Sequence, residues 1–235
     1  MSQALAGGIF DVDGVLLASP HERAWREALE GLVEPERLTT GLYQAQVAGK
    51  PRLSGALAVL EALGVPEAKR EAGVYAERKQ KRLEELIQAG DFAAFPDALR
   101  FVQAVRSLGW PIAVASSSRN AKQMLRAIKL DAGQTLLDVF KVDVCGRDLP
   151  QGKPDPAIFL LAAKELQLPP RACLVVEDSP AGIEAACAGG MTALGVARFH
   201  DADSLWEAGA TLVVASLDEI AIDALAAGRL SPHAV

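Results

Sequence analysis

The chain has 235 residues, of which 50% are hydrophobic and 23% charged, and its formal net charge is -6. This balance is typical of a globular protein and excludes a disordered or fibrous chain. The negative charge excludes a protein that binds nucleic acid through a broad basic surface, so any phosphate must be bound locally.

The sequence also has no basic segment followed by a long apolar one at its start, and no later apolar run is long enough to cross a bilayer. We therefore expect a cytoplasmic protein without membrane or nucleic-acid partners, and we expect a monomer. The cysteines Cys145, Cys173 and Cys187 form no CxxC pair and lie in apolar stretches. They are predicted to be buried, reduced and structural.

Short apolar runs alternate along the chain with amphipathic helical stretches. The runs are LAGGIF, PIAVAS, FKVDVC, ACLVVE, TALGVA and TLVV, and helices are predicted over 96–109, 120–129, 156–167 and 180–189. This alternation is typical of a parallel sheet with crossover helices on both faces. The sequence therefore predicts an α/β fold with a doubly wound, Rossmann-like core.

Between the first and second runs lie roughly eighty residues of purely helical pattern, much more than an ordinary connection needs. Three stretches within it, PERLTTGLYQAQV, LSGALAVLEALG and PEAKREAGVYAERKQKRLEELIQAG, carry apolar residues at helical spacing, as a small bundle does. We predict a helical insert over residues 17–95 and a core domain formed by residues 1–16 and 96–235.

Polar residues follow the apolar runs where a parallel sheet binds its ligands, beyond the carboxyl ends of the strands. In chain order these residues are DVDGV at 11–15, SSSRN at 116–120, GKP at 152–154 and EDSP at 177–180. Each segment has an ordinary structural explanation by itself, as a turn or a helix cap. Their order, placement and residue types together favour one functional site.

The carboxylates in these segments predict metal-assisted chemistry. Asp11 and Asp13 are spaced by one residue, and the Glu177–Asp178 pair adds two more carboxylates that repel one another unless a cation is present. A few hard oxygen ligands suit Mg2+. A bound cation also lets a carboxylate approach a phosphate dianion. Asp11 is then the predicted nucleophile, and Asp13 the general acid and base.

Two further residues are predicted to hold the transferring phosphate. Lys153 supplies a fixed positive charge, and Pro154 disfavours helix at that residue and keeps it in a loop. Ser116 adds a hydroxyl donor at the expected start of a helix, where backbone N–H groups favour anions.

Taken together, DVDGV, VASSS, GKPDPAIF and VVEDSPAGIEAA resemble the four ordered motifs of the haloacid dehalogenase superfamily, over essentially the whole chain. The resemblance implies that Asp11 is the nucleophile and Asp13 the acid/base. It also implies that Ser116 and Lys153 bind the phosphate. It implies a Mg2+ site formed by Asp11, Asp13 through its carbonyl, and Asp178, with Glu177 holding metal-bound water.

The helical insert resembles the cap of the subgroup that contains β-phosphoglucomutase and related sugar-phosphate phosphatases, which implies a small phosphorylated sugar as substrate. The substrate-binding residues implied are His21, Trp25, Gly49, Lys50, Arg52, Lys79, Ser117, Ser118, Arg119 and Asn120. Arg78, which directly precedes Lys79, belongs to one of the segments that carry this resemblance. Simple alternatives are an amphipathic helix face for His21, a solvated loop for Lys50 and Arg52, and a charged helix surface for Arg78 and Lys79.

One segment departs from the pattern of this subgroup. Relatives commonly have an aspartate followed by serine or threonine before the first cap helix, whereas this chain has LLASP at 16–20. The stretch is also shorter by about two residues, which alters the expected hinge.

We therefore expect a Mg2+-dependent enzyme that transfers phosphate through an aspartyl-phosphate intermediate. If a second sugar hydroxyl accepts the phosphate the enzyme is a mutase like β-phosphoglucomutase, and if water accepts it the enzyme is a phosphatase. A haloacid dehalogenase needs neither Mg2+ nor an acid/base at Asp13. A binding protein that has lost catalysis is disfavoured, because Asp11, Asp13, Lys153 and Asp178 are all intact.

Overall fold

The computed structural model describes residues 4–198 and 202–233. The predicted core range also includes residues 1–3, 199–201 and 234–235, which lie outside the described residues. The strands are β1 Gly7–Phe10, β2 Leu17–Ala18, β3 Ala93–Ala94, β4 Ile112–Val114, β5 Val142–Asp143, β6 Cys173–Glu177, β7 Thr192–Val196 and β8 Leu212–Val214. The helices are α1 His21–Glu27, α2 Thr40–Gln46, α3 Arg52–Ala62, α4 Ala68–Gln88, α5 Pro96–Ser107, α6 Ala121–Ala127, α7 Ala157–Leu166, α8 Pro180–Ala188, α9 Ala202–Glu207 and α10 Ile222–Ala226.

The core is a six-stranded parallel sheet in the order β5-β4-β1-β6-β7-β8, with helices on both faces, so the predicted doubly wound fold is confirmed. Successive residues of the central strand β1 enter opposite apolar layers. Phe10 packs edge-on against Phe101 and Phe140, with ring centroids 6.0 and 5.9 Å apart. Ile9 lies in the opposite layer with Phe159. This double burial explains why β1 reads as a continuous apolar run.

The helical insert contains helices α1 to α4 and has an apolar cluster of its own. The rings of Trp25 and Tyr75 lie 5.2 Å apart at its centre. The Tyr75 hydroxyl, which is buried, donates a hydrogen bond to the carbonyl of Trp25 at 2.8 Å. This bond joins α4 to α1, so the four helices pack as the small bundle that their periodicity predicts.

The expectation of a purely helical segment over 17–95 is wrong at both ends. β2 and β3 pair there as an antiparallel ribbon, Leu17 with Ala94 and Ala18 with Ala93, which we call the two-strand junction. Phe95 N extends it by donating to Leu16 O at 3.0 Å. Strands of two residues are too short to give an alternating pattern, so the sequence carries no signal for them.

Cys187 is exposed, contrary to the expectation that all three cysteines are buried, while Cys145 and Cys173 are buried as predicted. Cys187 lies near the end of α8, and its thiol contacts the carbonyl of Gly209. Among the described residues, no helix is long and apolar enough to cross a membrane.

Candidate active site

The loop that follows β1 carries the first motif and lies against the end of β6. Asp11 N donates to Val176 O at 3.0 Å, which aligns the two strand ends. Gly14 has φ +84, and a Cβ at this position would lie 1.9 Å from Asp178 Oδ2. Only glycine combines this backbone conformation with so close an approach, so it allows the Asp13 loop to pack against Asp178.

Lys153 lies in the loop before α7 and is buried beneath the first motif. Its ammonium is 2.6 Å from Asp11 Oδ1 and 2.5 Å from Glu177 Oε1, and it lies 4.9 Å from the centre of the Phe159 ring. Burial disfavours the ammonium, but the two carboxylates outweigh burial and raise the pKa of Lys153 above its usual value. Lys153 therefore supplies a permanent positive charge beside Asp11.

Asp11, Glu177 and Asp178 form a buried acidic cluster, with one carboxylate oxygen of each within 4.8 Å of the others. Burial raises the pKa of Asp11 to about 7, opposed by Lys153 and assisted by Glu177 and Asp13. Burial and the neighbouring Glu177 carboxylate also raise the pKa of Asp178 well above its usual range. Three carboxylates share one ammonium, so the cluster has an excess of negative charge that a divalent cation would offset. The all-oxygen donor set fits Mg2+.

Glu177 is held entirely by donors of the protein. Its Oε1 accepts from Lys153, and its Oε2 accepts from the backbone N–H groups of Asp178 at 2.6 Å and Ser179 at 3.1 Å. A Cβ at Gly182 would lie 1.8 Å from Glu177 Oε1, so glycine in the first turn of α8 makes room for this carboxylate. With Glu177 engaged in this way, Asp11 and Asp178 are the carboxylates available for direct coordination.

The Asp13 carboxylate is outside the acidic cluster and faces Ser116 and the helical insert. Its Oδ2 lies 3.4 Å from the Ser116 hydroxyl, and its Oδ1 lies 3.6 Å from His21 Nε2. Ser116 is buried at the end of β4, where its hydroxyl also accepts from Ser118 N at 3.0 Å. The two aspartates of the first motif therefore have separate surroundings, one in the acidic cluster and one beside neutral donors.

His21 connects Asp13 to Lys79 on α4. His21 Nδ1 is 3.0 Å from Lys79 Nζ, and Nε2 is 3.3 Å from the Ser118 hydroxyl. Burial lowers the pKa of His21 to about 4, with Asp13 opposing and Lys79 adding to the shift. Burial also lowers the pKa of Lys79 to about 7, and its ammonium lies 4.9 Å from the centre of the Trp25 ring. At neutral pH His21 is therefore uncharged.

The helical insert touches the core through the loop before α3. The Ser117 hydroxyl donates to Gly49 O at 3.2 Å. A Cβ at Gly49, which has φ +76, would lie 2.7 Å from the Ser179 hydroxyl. On α4, the side-chain amide of Gln80 exchanges two hydrogen bonds with that of Asn120, at 3.3 and 3.4 Å. These contacts close the insert over the strand ends.

The cavity between the insert and the strand ends has a volume of about 810 Å³, a size typical of small-molecule sites. All the site residues predicted from sequence line it except Glu177, which lies behind Lys153 and Asp178. Arg52 and Arg119 are exposed at its rim. Arg78 does not line the cavity, and its guanidinium instead donates to the carbonyl of Glu30 on the surface of the insert.

Several polar cavity residues were missed by the sequence reasoning, among them Glu22, Tyr43, Gln44 and Arg198. Arg198 follows the TALGVA run, so the strand-end rule could have found it. Glu22, Tyr43 and Gln44 lie on helices of the insert, where one amphipathic pattern is compatible with several faces toward the core. Burial and nearby carboxylates raise the pKa of Tyr43 well above its usual value, so its phenol stays a donor.

Comparison with known proteins shows which family the chain resembles. The family model of the haloacid dehalogenase-like hydrolases matches residues 8–190. A phosphorylated carbohydrates phosphatase of Thermotoga maritima is 31% identical, over 88% of this chain and 92% of that protein. A β-phosphoglucomutase of Bacillus subtilis is 30% identical, over 92% of each. The crystal structure of an archaeal β-phosphoglucomutase from a hyperthermophilic Pyrococcus is 33% identical, with a TM-score of 0.74 over 94% of this chain and 99% of that one.

The chain belongs to the haloacid dehalogenase-like hydrolase family, which confirms the resemblance and the fold that its motifs predict. It is an enzyme of that family. Its relatives are named as mutases and as phosphatases, so the comparisons leave the acceptor of the phosphate open.

Proposed function

We propose that this protein is a Mg2+-dependent phosphotransferase that moves the phosphate of a small phosphorylated sugar through an aspartyl phosphate at Asp11. The observation that carries the proposal is the position of Asp11 on the cavity floor, with Lys153 at 2.6 Å and the acidic cluster beside it. The relatives named for phosphorylated carbohydrates and for β-phosphoglucomutase support the substrate class.

Asp11, Asp178 and the carbonyl of Asp13 are the groups that would hold Mg2+. When bound, the cation neutralises charge on the phosphate and on the attacking carboxylate. Lys153 offsets the charge on the transferring phosphoryl oxygens, and the Ser116 hydroxyl donates to them. Both residues contact the first motif, Lys153 at Asp11 and Ser116 at Asp13, so both lie where they can bind the phosphate that Asp11 attacks.

The transfer requires two proton movements, and Asp13 is the residue placed for both. Asp11 attacks phosphorus while the bond to the leaving sugar oxygen breaks, and Asp13 gives its proton to that oxygen. In the second half, Asp13 takes the proton from the acceptor hydroxyl as that oxygen attacks phosphorus and frees Asp11. Asp13 lines the cavity together with Asp11 and lies outside the acidic cluster, which supports this role.

A mutase is the acceptor choice that we favour, because basic side chains line the cavity both at its floor and nearer the insert. Lys153 lies at the floor, while Arg52, Lys79 and Arg119 line the side nearer the insert and the rim. A mutase must hold a bisphosphate in two orientations, with one phosphate at Asp11 and the other gripped elsewhere. An arginine can grip a phosphate with two parallel hydrogen bonds, which makes Arg52 the main candidate.

The test is conversion of β-glucose 1-phosphate to glucose 6-phosphate in the presence of a sugar bisphosphate primer. Arg52→Ala should depress isomerisation far more than hydrolysis of p-nitrophenyl phosphate, which has no second phosphate. Arg70→Ala is the matched control, because Arg70 lies on the same insert with its side chain 73% exposed and does not line the cavity. Equal losses on both substrates would contradict the mutase assignment.

A phosphatase is the second candidate, and Glu22 favours it. The Glu22 carboxylate lines the cavity and is held by Arg26 and by the Thr40 hydroxyl, at 2.8 Å. A fixed carboxylate repels a second phosphate and accepts hydrogen bonds from sugar hydroxyls. Release of inorganic phosphate without isomerised sugar, with Glu22→Gln improving binding of a bisphosphate, would support this reading.

A further inference from the structure

Arg198 contacts the loop after Asp13, the first turn of α5 and the linker residue Phe95. The site needs these three segments in fixed relative positions. Arg198 follows β7 and lies at the edge of the cavity with its side chain 11% exposed. Its Nη1 donates to Asp97 Oδ2 at 2.8 Å and its Nη2 to Asp97 Oδ1 at 3.1 Å. Asp97 stands in the first turn of α5, directly after the chain returns from the helical insert.

The same guanidinium also holds the chain where it leaves for the insert. Nε donates to Gly14 O at 3.2 Å, and Nη2 donates to Val15 O at 3.4 Å. These carbonyls directly follow Asp13, so Arg198 lies beneath the loop that carries the proposed acid/base. Because Gly14 packs against Asp178, this loop has little room to shift without disturbing the acidic cluster.

The returning linker lies on the face of the same group. The centre of the Arg198 guanidinium is 4.1 Å from the centre of the Phe95 ring, a stacking contact. Phe95 is the residue whose N–H donates to Leu16 O at the two-strand junction. Arg198 therefore contacts both linkers on the core side of the ribbon formed by β2 and β3.

The side chain is committed to this arrangement rather than to a ligand. A guanidinium has five N–H donors, and four of those of Arg198 are used by Asp97, Gly14 and Val15. Asp97 is fixed in turn by Leu217 N at 2.9 Å and the Ser216 hydroxyl at 3.1 Å. The charge of Arg198 is balanced by Asp97, so an anionic substrate gains little from it.

We propose that Arg198 is a positioning residue that clamps the core ends of both linkers, so that the insert can open at the two-strand junction without moving the Asp13 loop. The proposal rests on the proposed function for its catalytic consequence only. The clamp affects the order of the backbone, which is measured without substrate.

The test compares Arg198→Met and Arg198→Lys with Arg100→Met. Arg100 is the matched control, because it forms a similar two-point pair with Asp218, at 2.9 and 2.5 Å, on the same helix α5 but exposed. Amide hydrogen exchange is followed at Gly14 and Phe95, whose N–H groups donate to Leu17 O and Leu16 O, with Asp11 N as the internal reference.

For Arg198→Met we expect exchange at Gly14 and Phe95 to accelerate about tenfold or more, as loss of charge-assisted hydrogen bonds implies, with Asp11 unchanged. On p-nitrophenyl phosphate, kcat should fall by up to about a hundredfold, because the catalytic groups of the Asp13 loop are displaced. KM should change little, because the contacts that bind the substrate are kept. Arg198→Lys should be intermediate and carries the test if Arg198→Met does not fold, and Arg100→Met should match the wild type.

Unchanged exchange at Gly14 and Phe95, or equal acceleration at Asp11, would overturn the clamp and leave Arg198 as a general stabilising residue. Accelerated exchange at both linkers with Asp11 protected supports the clamp even if no phosphate transfer is found. The proposed function would then be wrong, while the clamp would stand.

Discussion

His21 lies opposite Asp13 at the seam between the helical insert and the core, with His21 Nε2 3.6 Å from Asp13 Oδ1. This carboxylate oxygen is buried and accepts no hydrogen bond within the described part of the chain. While Lys79 is protonated it can only donate to His21 Nδ1, so the ring proton of the neutral His21 is on Nε2. A residue of the insert thus presents its N–H toward the proposed acid/base of the core.

Asp13→Asn is expected to lower kcat by roughly a hundredfold to ten-thousandfold, because general acid and base catalysis contributes about that much. KM should change little, since Asp13 is not among the proposed phosphate ligands. Steady-state kinetics on p-nitrophenyl phosphate give both constants, and Asp131→Asn, at an exposed aspartate, is the control. A loss of less than about fivefold would remove Asp13 from proton transfer.

Divalent-ion removal should abolish activity, and Mg2+ should restore it better than Ca2+, whose longer and looser coordination misplaces the phosphate. Binding can be measured without turnover, because Mg2+ that binds the folded state raises Tm with concentration. This rise should be lost in Asp178→Asn, while Asp155→Asn should keep it. A Tm insensitive to Mg2+ in the wild type, or full activity in excess chelator, would contradict the metal site.

Lys79 should make the stability of the protein rise with pH. Burial lowers its pKa from 10.5 to about 7 in the folded state. Between these values the unfolded chain binds the proton that the folded chain has released, so the free energy of unfolding increases with pH. The slope is at most about 1.4 kcal/mol per pH unit.

Urea unfolding of the wild type and Lys79→Met from about pH 7 to about pH 10 measures this effect. The free energy of unfolding of the wild type, relative to that of Lys79→Met, should be lowest at about pH 7 and should rise toward about pH 10. A difference between the two proteins that does not vary with pH would show that Lys79 keeps an ordinary pKa.

Gly49→Ala should impair closure of the helical insert, whereas Gly64→Ala should not. Both glycines have positive φ, +76 and +69, so both substitutions carry a similar backbone cost of about 1 to 2 kcal/mol. Only the Cβ at Gly49 meets the core, at the Ser179 hydroxyl, and nothing lies within 4 Å of the one at Gly64. Kinetics on a sugar phosphate should therefore show a large fall in kcat/KM for Gly49→Ala alone, and equal effects would argue against the closed contact.

The sequence predicted the core and its motif residues because each follows a buried strand, and parallel strands bring their carboxyl ends together. Asp11, Ser116, Lys153 and Asp178 meet at one edge of the sheet for this reason. Their catalytic and binding roles remain predictions. The fold alone supplies their proximity.

Contacts between segments that lie far apart in the chain were not predictable. The two-strand junction has too few residues for a period, and nothing in the spacing of residues relates Arg198 to Gly14 or Asp97, which lie far away in the chain. Gln44 lines the cavity, but a polar residue on an amphipathic helix is equally compatible with solvent. Here tertiary contacts, rather than local pattern, determine which residues reach the site.

The central claim is that phosphate passes through Asp11, and trapping the acyl phosphate tests it most directly. The protein is incubated with Mg2+ and a sugar phosphate, quenched in acid and reduced with borohydride, which converts an aspartyl phosphate to homoserine, and the peptide containing residue 11 is read by mass spectrometry. We predict homoserine at residue 11 in the wild type, more of it in Asp13→Asn if turnover of the intermediate is slowed further than its formation, and neither homoserine nor phosphate transfer in Asp11→Asn. Phosphate transfer that continues in Asp11→Asn, or that proceeds in the wild type while residue 11 remains unmodified, would contradict the account.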